Sequence, residues 1–174
     1  MLFSLNGCTL VIDEFTYELE PQSGVFIRAG QAFRVENSGT EPVCFVSVRC
    51  PATKTSPPPV VKLADQRAMP TADRWYRVLI DSEVTQFVGS IPPGRAPDHF
   101  HEYEEVLFIL KGEGRAHIGS SSTPIESGSC IYLPRGQVHC VENTGAGELR
   151  LLGVFYPAGS PAVRYEAESF TQNP

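Results

Sequence analysis

Two stretches decide how this chain is read: GRAPDHFHEYEEVLFILKG, residues 94–112, and GSCIYLPRGQVHCVEN, residues 128–143. The first offers His99, His101 and Glu105, and the second offers His139. Successive side chains of an extended strand point to opposite faces, so His99 and His101, two apart, share a face. Glu105 lies a further even step along and shares that face if no bulge intervenes; Glu104 then points away. On a helix, residues two apart diverge by about 200°, so a helical His-x-His would not chelate. His139 comes from a separate strand, after Pro134-Arg135-Gly136. That tripeptide reads as a tight bend, because proline presets φ and glycine tolerates positive φ. Three imidazoles and one carboxylate form a ligand set for one divalent transition metal per chain, with positions left for substrate. A pair of surface histidines on an edge strand would explain an isolated His-x-His, but not the whole spacing set. Fe, Mn, Ni, Zn and Cu all accept such ligands, so the sequence does not distinguish them.

Outward from these stretches, strand signals dominate. Short runs such as CTLVI (8–12), GVFI (24–27), CFVSV (44–48), RVLI (77–80), TQFVGSI (85–91), EVLFIL (105–110), RAHIG (115–119), SCIYL (129–133) and LRLLGVFY (149–156) are rich in Val, Ile, Leu and Phe. Gly, Pro, Asn and Ser clusters separate them, and fifteen Gly and fifteen Pro suit many turns. The best helix candidate, Ala64–Ala72, is short and interrupted by Pro70. The pattern is all-β, of sandwich or barrel type. At 174 residues, 41% hydrophobic and 20% charged, the chain can bury one core or two small ones.

The charge balance narrows the partners. A net charge of −6 argues against nucleic acid and against an anionic membrane surface, since both call for a basic face. No apolar run is long enough for a membrane-spanning helix. The opening MLFSLNGCTLVIDEF lacks a basic n-region and soon turns acidic, so it does not read as a secretory signal. Five cysteines without a CxxC pair suggest neither a disulfide framework nor a zinc knuckle. Reduced thiols in a cytoplasmic protein are the expectation.

The chain also repeats itself. LFSLNG (2–7) parallels LFILKG (107–112), and RAGQAFRVENSG (28–39) parallels PRGQVHCVENTG (134–145). Phe33 stands where the second copy has His139, and the counterparts of His99, His101 and Glu105 would precede Met1. The first copy therefore lacks every metal ligand. The expected organisation is a partial repeat over 1–50, a Pro-rich linker over 51–74 containing Pro57-Pro58-Pro59, and a metal-binding barrel over 75–174. About four strands are expected in residues 1–50. These are too few to close a barrel, so they should dock on the second repeat in the same chain or across a homodimer. Phe33 is expected to fill the place of the missing histidine.

Residues 94–112 and 128–143 resemble the two motifs of the cupin superfamily. In the first, Gly94, His99, His101, Glu105 and Gly112 match a Gly, His-x-His, Glu and Gly pattern, with four rather than five residues between Gly94 and His99. In the second, Gly128, Pro134, Gly136, His139 and Asn143 match throughout. The resemblance covers roughly residues 75–157, and the repeat extends it over 2–50. It implies a double-stranded β-helix, or jelly-roll barrel, with the metal inside. It also implies a bicupin whose first cupin is degenerate and shortened.

Other residues carry two readings each. Gln86, on the strand before the first motif, faces either the barrel mouth and substrate or solvent. Arg95 and Asp98 either hold an anionic substrate and orient a histidine, or sit in water. His117 either lines the cavity or binds nothing. Tyr132, Phe108, Phe87 and Leu107 are expected in the core or wall, Trp75 and Tyr76 as packing residues, and Cys140 as a buried thiol facing away from His139. One fold hosts many chemistries, so the resemblance implies a site rather than a reaction. A metal-dependent, dioxygenase-like oxidoreductase on a small-molecule substrate leads, with Glu105 as candidate base. A non-redox isomerase, cyclase or lyase on a sugar or polyketide-like compound is the second reading, and a small-ligand binding protein the third.

Overall fold

The structure is a computed structural model that describes residues 1–51, 53–71, 74–163 and 165–166. Residues 1–50 hold six strands: β1 (Leu2–Ser4), β2 (Cys8–Ile12), β3 (Phe15–Leu19), β4 (Ser23–Val25), β5 (Phe33–Glu36) and β6 (Phe45–Ser47). Next come β7 (Val60–Lys62), a 3-10 turn at Leu63–Asp65, and β8 (Met69–Thr71). Then follow β9 (Arg74–Asp81), β10 (Thr85–Ile91), β11 (Gly94–Arg95), β12 (His99–Phe100), β13 (Glu104–Lys111) and β14 (Glu113–Ile118). The described chain ends with β15 (Ser121–Glu126), β16 (Cys130–Leu133), β17 (His139–Asn143), β18 (Leu149–Tyr156) and β19 (Tyr165–Glu166).

Two sheets face each other as a double-stranded β-helix. One runs β16-β13-β18-β10-β9-β8; the other runs β15-β14-β17-β12-β19, with β11 also paired to β17. The alternation of β13 shows why. Glu105, Leu107 and Ile109 are buried in the interior, where Leu107 and Ile109 join Phe87, Leu151 and Phe155 from their own sheet and Ala116, Ile125 and Val141 from the facing one. Each such aliphatic side chain, fully buried, contributes about 1.5–3 kcal/mol. The intervening Phe108 and Leu110 point to the opposite face of the sheet. There they pack with Ile80, Val88, Leu152, Val154 and the N-terminal Phe3 and Phe26. The sheet β6-β1-β4-β7 thus lies on the back of the barrel within the same chain, and β3-β2-β5 covers its other side through Leu10, Ile12 and Leu19.

Several expectations need correction. Residues 1–50 hold six strands rather than four, because the polar runs FTYEL and FRVE pair on either side of β2. The 51–74 segment is not merely a spacer: β7 pairs with β4 and β8 pairs with β9. The described part of the helix candidate 64–72 is a 3-10 turn followed by a strand, as Pro70 denies a helix its hydrogen bond. Phe33 does not fill an interior site. It lies on the edge strand β5 opposite Ile12 and is 50% exposed, because no further strand among the described residues pairs with that edge. Tyr132 is 56% exposed rather than core, since alternation on β16 sends Leu133 inward and Tyr132 out. No helix of the described chain is long and apolar enough to cross a membrane.

Candidate metal centre

Three imidazoles converge inside the barrel. β12 and β17 pair antiparallel with His99 opposite His139, which brings the two motifs together. The bend before β17 forms as its residues dictate. Gly136 takes φ +76°, the Gln137 amide donates to the Pro134 carbonyl at 3.0 Å, and the Gly136 amide donates to the His101 carbonyl at 2.8 Å. That last bond ties the second motif directly to a residue of the first. One ring nitrogen from each of His99, His101 and His139 lies within 4.8 Å of the others, so the three could hold a metal ion.

The hydrogen bonds fix how two rings present themselves. His99 Nδ1 lies 3.0 Å from the Pro97 carbonyl, and His139 Nδ1 lies 2.8 Å from the Gln137 carbonyl. A carbonyl only accepts, so each Nδ1 carries the proton and donates. In the neutral ring Nε2 is then the lone-pair nitrogen, the form a metal requires. His101 is flanked by rings: Tyr103 stacks on it at 4.8 Å and 12°, and Phe155 lies 5.5 Å away.

Glu105 is 5% exposed and aims its Oε2 at the same point, 3.3 Å from His139 Nε2 and 3.7 Å from His101 Nε2. No aligned hydrogen bond satisfies that oxygen among the described residues. A buried carboxylate in this position calls for positive charge beside it, from a protonated imidazole or from a metal ion. Burial pushes the His139 imidazolium down, the largest single effect. The close approach and charge of Glu105, with the Gln137 carbonyl and Asp98, together outweigh it and leave His139 above the usual imidazole range. The site thus attracts positive charge, and its donors fit a divalent transition metal.

The other predicted residues fall elsewhere. Gln86 is 1% exposed but faces the N-terminal sheet, donating to the Leu2 carbonyl at 3.4 Å, because unbroken alternation along β10 sends Phe87 into the barrel and Gln86 to the opposite face. Arg95 is exposed and bonds Asp98 at 2.9 Å and Cys140 Sγ at 3.4 Å, outside the cavity. His117 pairs with Glu142 at 2.8 Å, apart from the cluster of His99, His101 and His139. Glu104 is exposed and Cys140 is buried. The cavity above the histidines is walled by Tyr76, Phe87, Ile91, Leu107, Val141 and Leu151, with Arg74 and Ser90 among its polar lining.

With this geometry in view, residues 87–155 match the cupin domain. An oxalate-binding protein of Thermotoga maritima is 39% identical over 66 residues, which are 37% of this chain and 54% of that one. The chain therefore spans about half the length of that relative. The polyketide cyclase RemF of Streptomyces resistomycificus superposes with a TM-score of 0.52 at 24% identity, over 66% of this chain and 92% of the other. Bacillus subtilis oxalate decarboxylase, which has Mn(II) centres, superposes with a TM-score of 0.73 at 12% identity, over 99% of this chain and 67% of that one. At these identities the two superpositions speak to fold alone. Residues 87–155 thus match a cupin domain, and the double-stranded β-helix around them is consistent with the cupin superfamily.

Proposed function

We propose that the chain is a metal-dependent, oxygenase-type enzyme acting on a small, largely apolar molecule that offers oxygen donors to the metal. His99, His101, His139 and Glu105 would hold one divalent transition metal. When bound, that metal supplies Lewis-acid or redox chemistry in a water-poor cavity. The observation that carries the reading is the buried Glu105 Oε2, without a hydrogen bond, among imidazoles whose Nδ1 protons are already committed to carbonyls. The chain's own residues do the rest. Pro97 and Gln137 orient two rings, the Tyr76, Phe87 and Leu151 walls exclude water and hold an apolar body, and Glu105 is placed to take a proton if it leaves the metal.

The wall chemistry bears on the alternatives. A non-redox isomerase or cyclase needs a proton-moving group free of the metal. The described lining offers no carboxylate besides Glu105 and no imidazole besides the three histidines, which leaves the Tyr76 phenol as the candidate proton carrier for that reading. Oxalate, the ligand named for the Thermotoga relative, has no apolar part to occupy these walls. Residues 1–50 are read as a partial repeat of structural role, since the metal-ligating cluster among the described residues lies wholly in the second repeat. The test is oxygen uptake by iron- or manganese-loaded protein with catechol, flavonol and β-diketone compounds. Perturbation of the metal's spectrum together with O₂ consumption is expected. Anaerobic turnover with zinc would instead support the isomerase or cyclase reading.

A further inference from the structure

We infer that Tyr103 is a positioning residue that couples a C-terminal strap beside the cavity to the orientation of His101. The strap follows β18. It is held to the barrel by the Ala158 amide donating to the Glu83 carbonyl at 2.9 Å and by Thr85 Oγ1 donating to the Gly159 carbonyl at 2.9 Å. Tyr103 supplies a further tie, its hydroxyl donating to the Ser160 carbonyl at 2.8 Å. From there Pro161 forms part of the cavity wall. The strap returns as β19, which pairs with β12 opposite His99 and stacks Tyr165 on Phe100 at 5.3 Å.

The same Tyr103 ring lies nearly parallel to His101 at 4.8 Å and against Phe155 at 4.5 Å. One side chain therefore grips the strap with its oxygen and a metal-ligand ring with its face. Gly159 makes the fit tight: a Cβ there would lie 2.2 Å from Tyr103 Cε1. The strap passes at a distance only glycine permits. When the strap lifts, the hydroxyl loses its acceptor, the ring is free to tilt, and His101 loses the surface that sets its plane. Movement of the strap at the cavity and retention of the metal are linked through this residue.

Only the description of His101 as a ligand rests on the metal reading; the strap coupling does not. The test uses the full chain, first without metal, by amide hydrogen exchange. In Tyr103→Phe the ring stays and the hydroxyl bond goes, so amides of 158–163 should exchange roughly fivefold to tenfold faster while β13 and β18 keep wild-type rates. Gly159→Ala should release the strap to a similar degree, by setting a Cβ against the Tyr103 ring and prising the two apart. The second arm measures affinity for Mn²⁺ by electron paramagnetic resonance titration. Tyr103→Phe should hold wild-type affinity, and Tyr103→Leu, which removes the stack, should lose about 10–100-fold. Unchanged strap exchange in both Tyr103→Phe and Gly159→Ala, or acceleration spread equally over β13 and β18, would overturn the coupling. Wild-type Mn²⁺ affinity in Tyr103→Leu would overturn the positioning role. Failure of every form to bind Mn²⁺, with strap exchange responding as expected, would sink the metal reading and support the strap coupling.

Discussion

Glu105→Gln separates a buried structural carboxylate from a metal ligand. The side chain is 5% exposed and its Oε2 lacks an aligned hydrogen bond, so without metal the carboxylate carries a desolvation penalty that the nearby His139 offsets only in part. Glutamine keeps the shape and removes the charge. The metal-free variant should therefore be at least as stable as the metal-free wild type. Metal reverses the order. At a free metal concentration of about 100 times Kd, binding adds about 2.7 kcal/mol to the wild type. For a chain of this length each kcal/mol raises the Tm by roughly 2–4 °C, so the shift should be about 5–11 °C. Loss of the charged ligand by about 100-fold in affinity leaves ~0.4 kcal/mol at the same concentration, a shift of about 1–2 °C. Thermal melts of both proteins, in chelator and in Mn²⁺ or Zn²⁺, read all four values. A Glu105→Gln protein with the full wild-type metal shift would refute the reasoning, as would a metal-free variant much less stable than wild type.

Phe3→Ala, at a fully buried residue packed with Ile80, Val88 and Leu152, should cost about 3–5 kcal/mol in denaturant unfolding. A loss under about 1 kcal/mol would show that the N-terminal sheet is not part of the barrel's cooperative unit. His117→Gln removes a partly exposed pair with Glu142, so it should cost no more than about 1 kcal/mol and leave metal content unchanged. Metal affinity should fall as pH drops through the His139 value. Protons compete for Nε2, and Glu105 holds that imidazole above its ordinary range, so the loss begins above about pH 6.5. Competition titrations with a chelator across that range check this, and a flat affinity would contradict it.

The convergence of the three histidines is legible in the sequence because strand alternation is a strong rule and the bend before His139 carries its own signature in Pro134 and Gly136. Gln86 was not legible. Alternation puts it on the face opposite Phe87, and nothing in β10 itself tells that a second sheet from residues 1–62 buries that face. Phe33 was misplaced because the repeat aligns it with His139, whereas exposure depends on whether another strand covers β5. Tyr103 was missed although it stands two residues from both His101 and Glu105. The alternation that selected the ligands would also have placed Tyr103 beside them. The β7 and β8 pairings were hidden by the prolines around them, since Pro57-Pro58-Pro59 ends just before β7 and Pro70 lies within β8, a pattern that reads as linker.

The central claim is that His99, His101, Glu105 and His139 hold one metal ion per chain. Elemental analysis of protein purified without added metal, for the wild type, His101→Ala, His139→Ala and the exposed control Glu104→Gln, tests it most directly. Near one equivalent of transition metal is expected in the wild type and Glu104→Gln, with most of it lost from the two histidine variants. Unchanged metal content in both histidine variants would contradict the assignment.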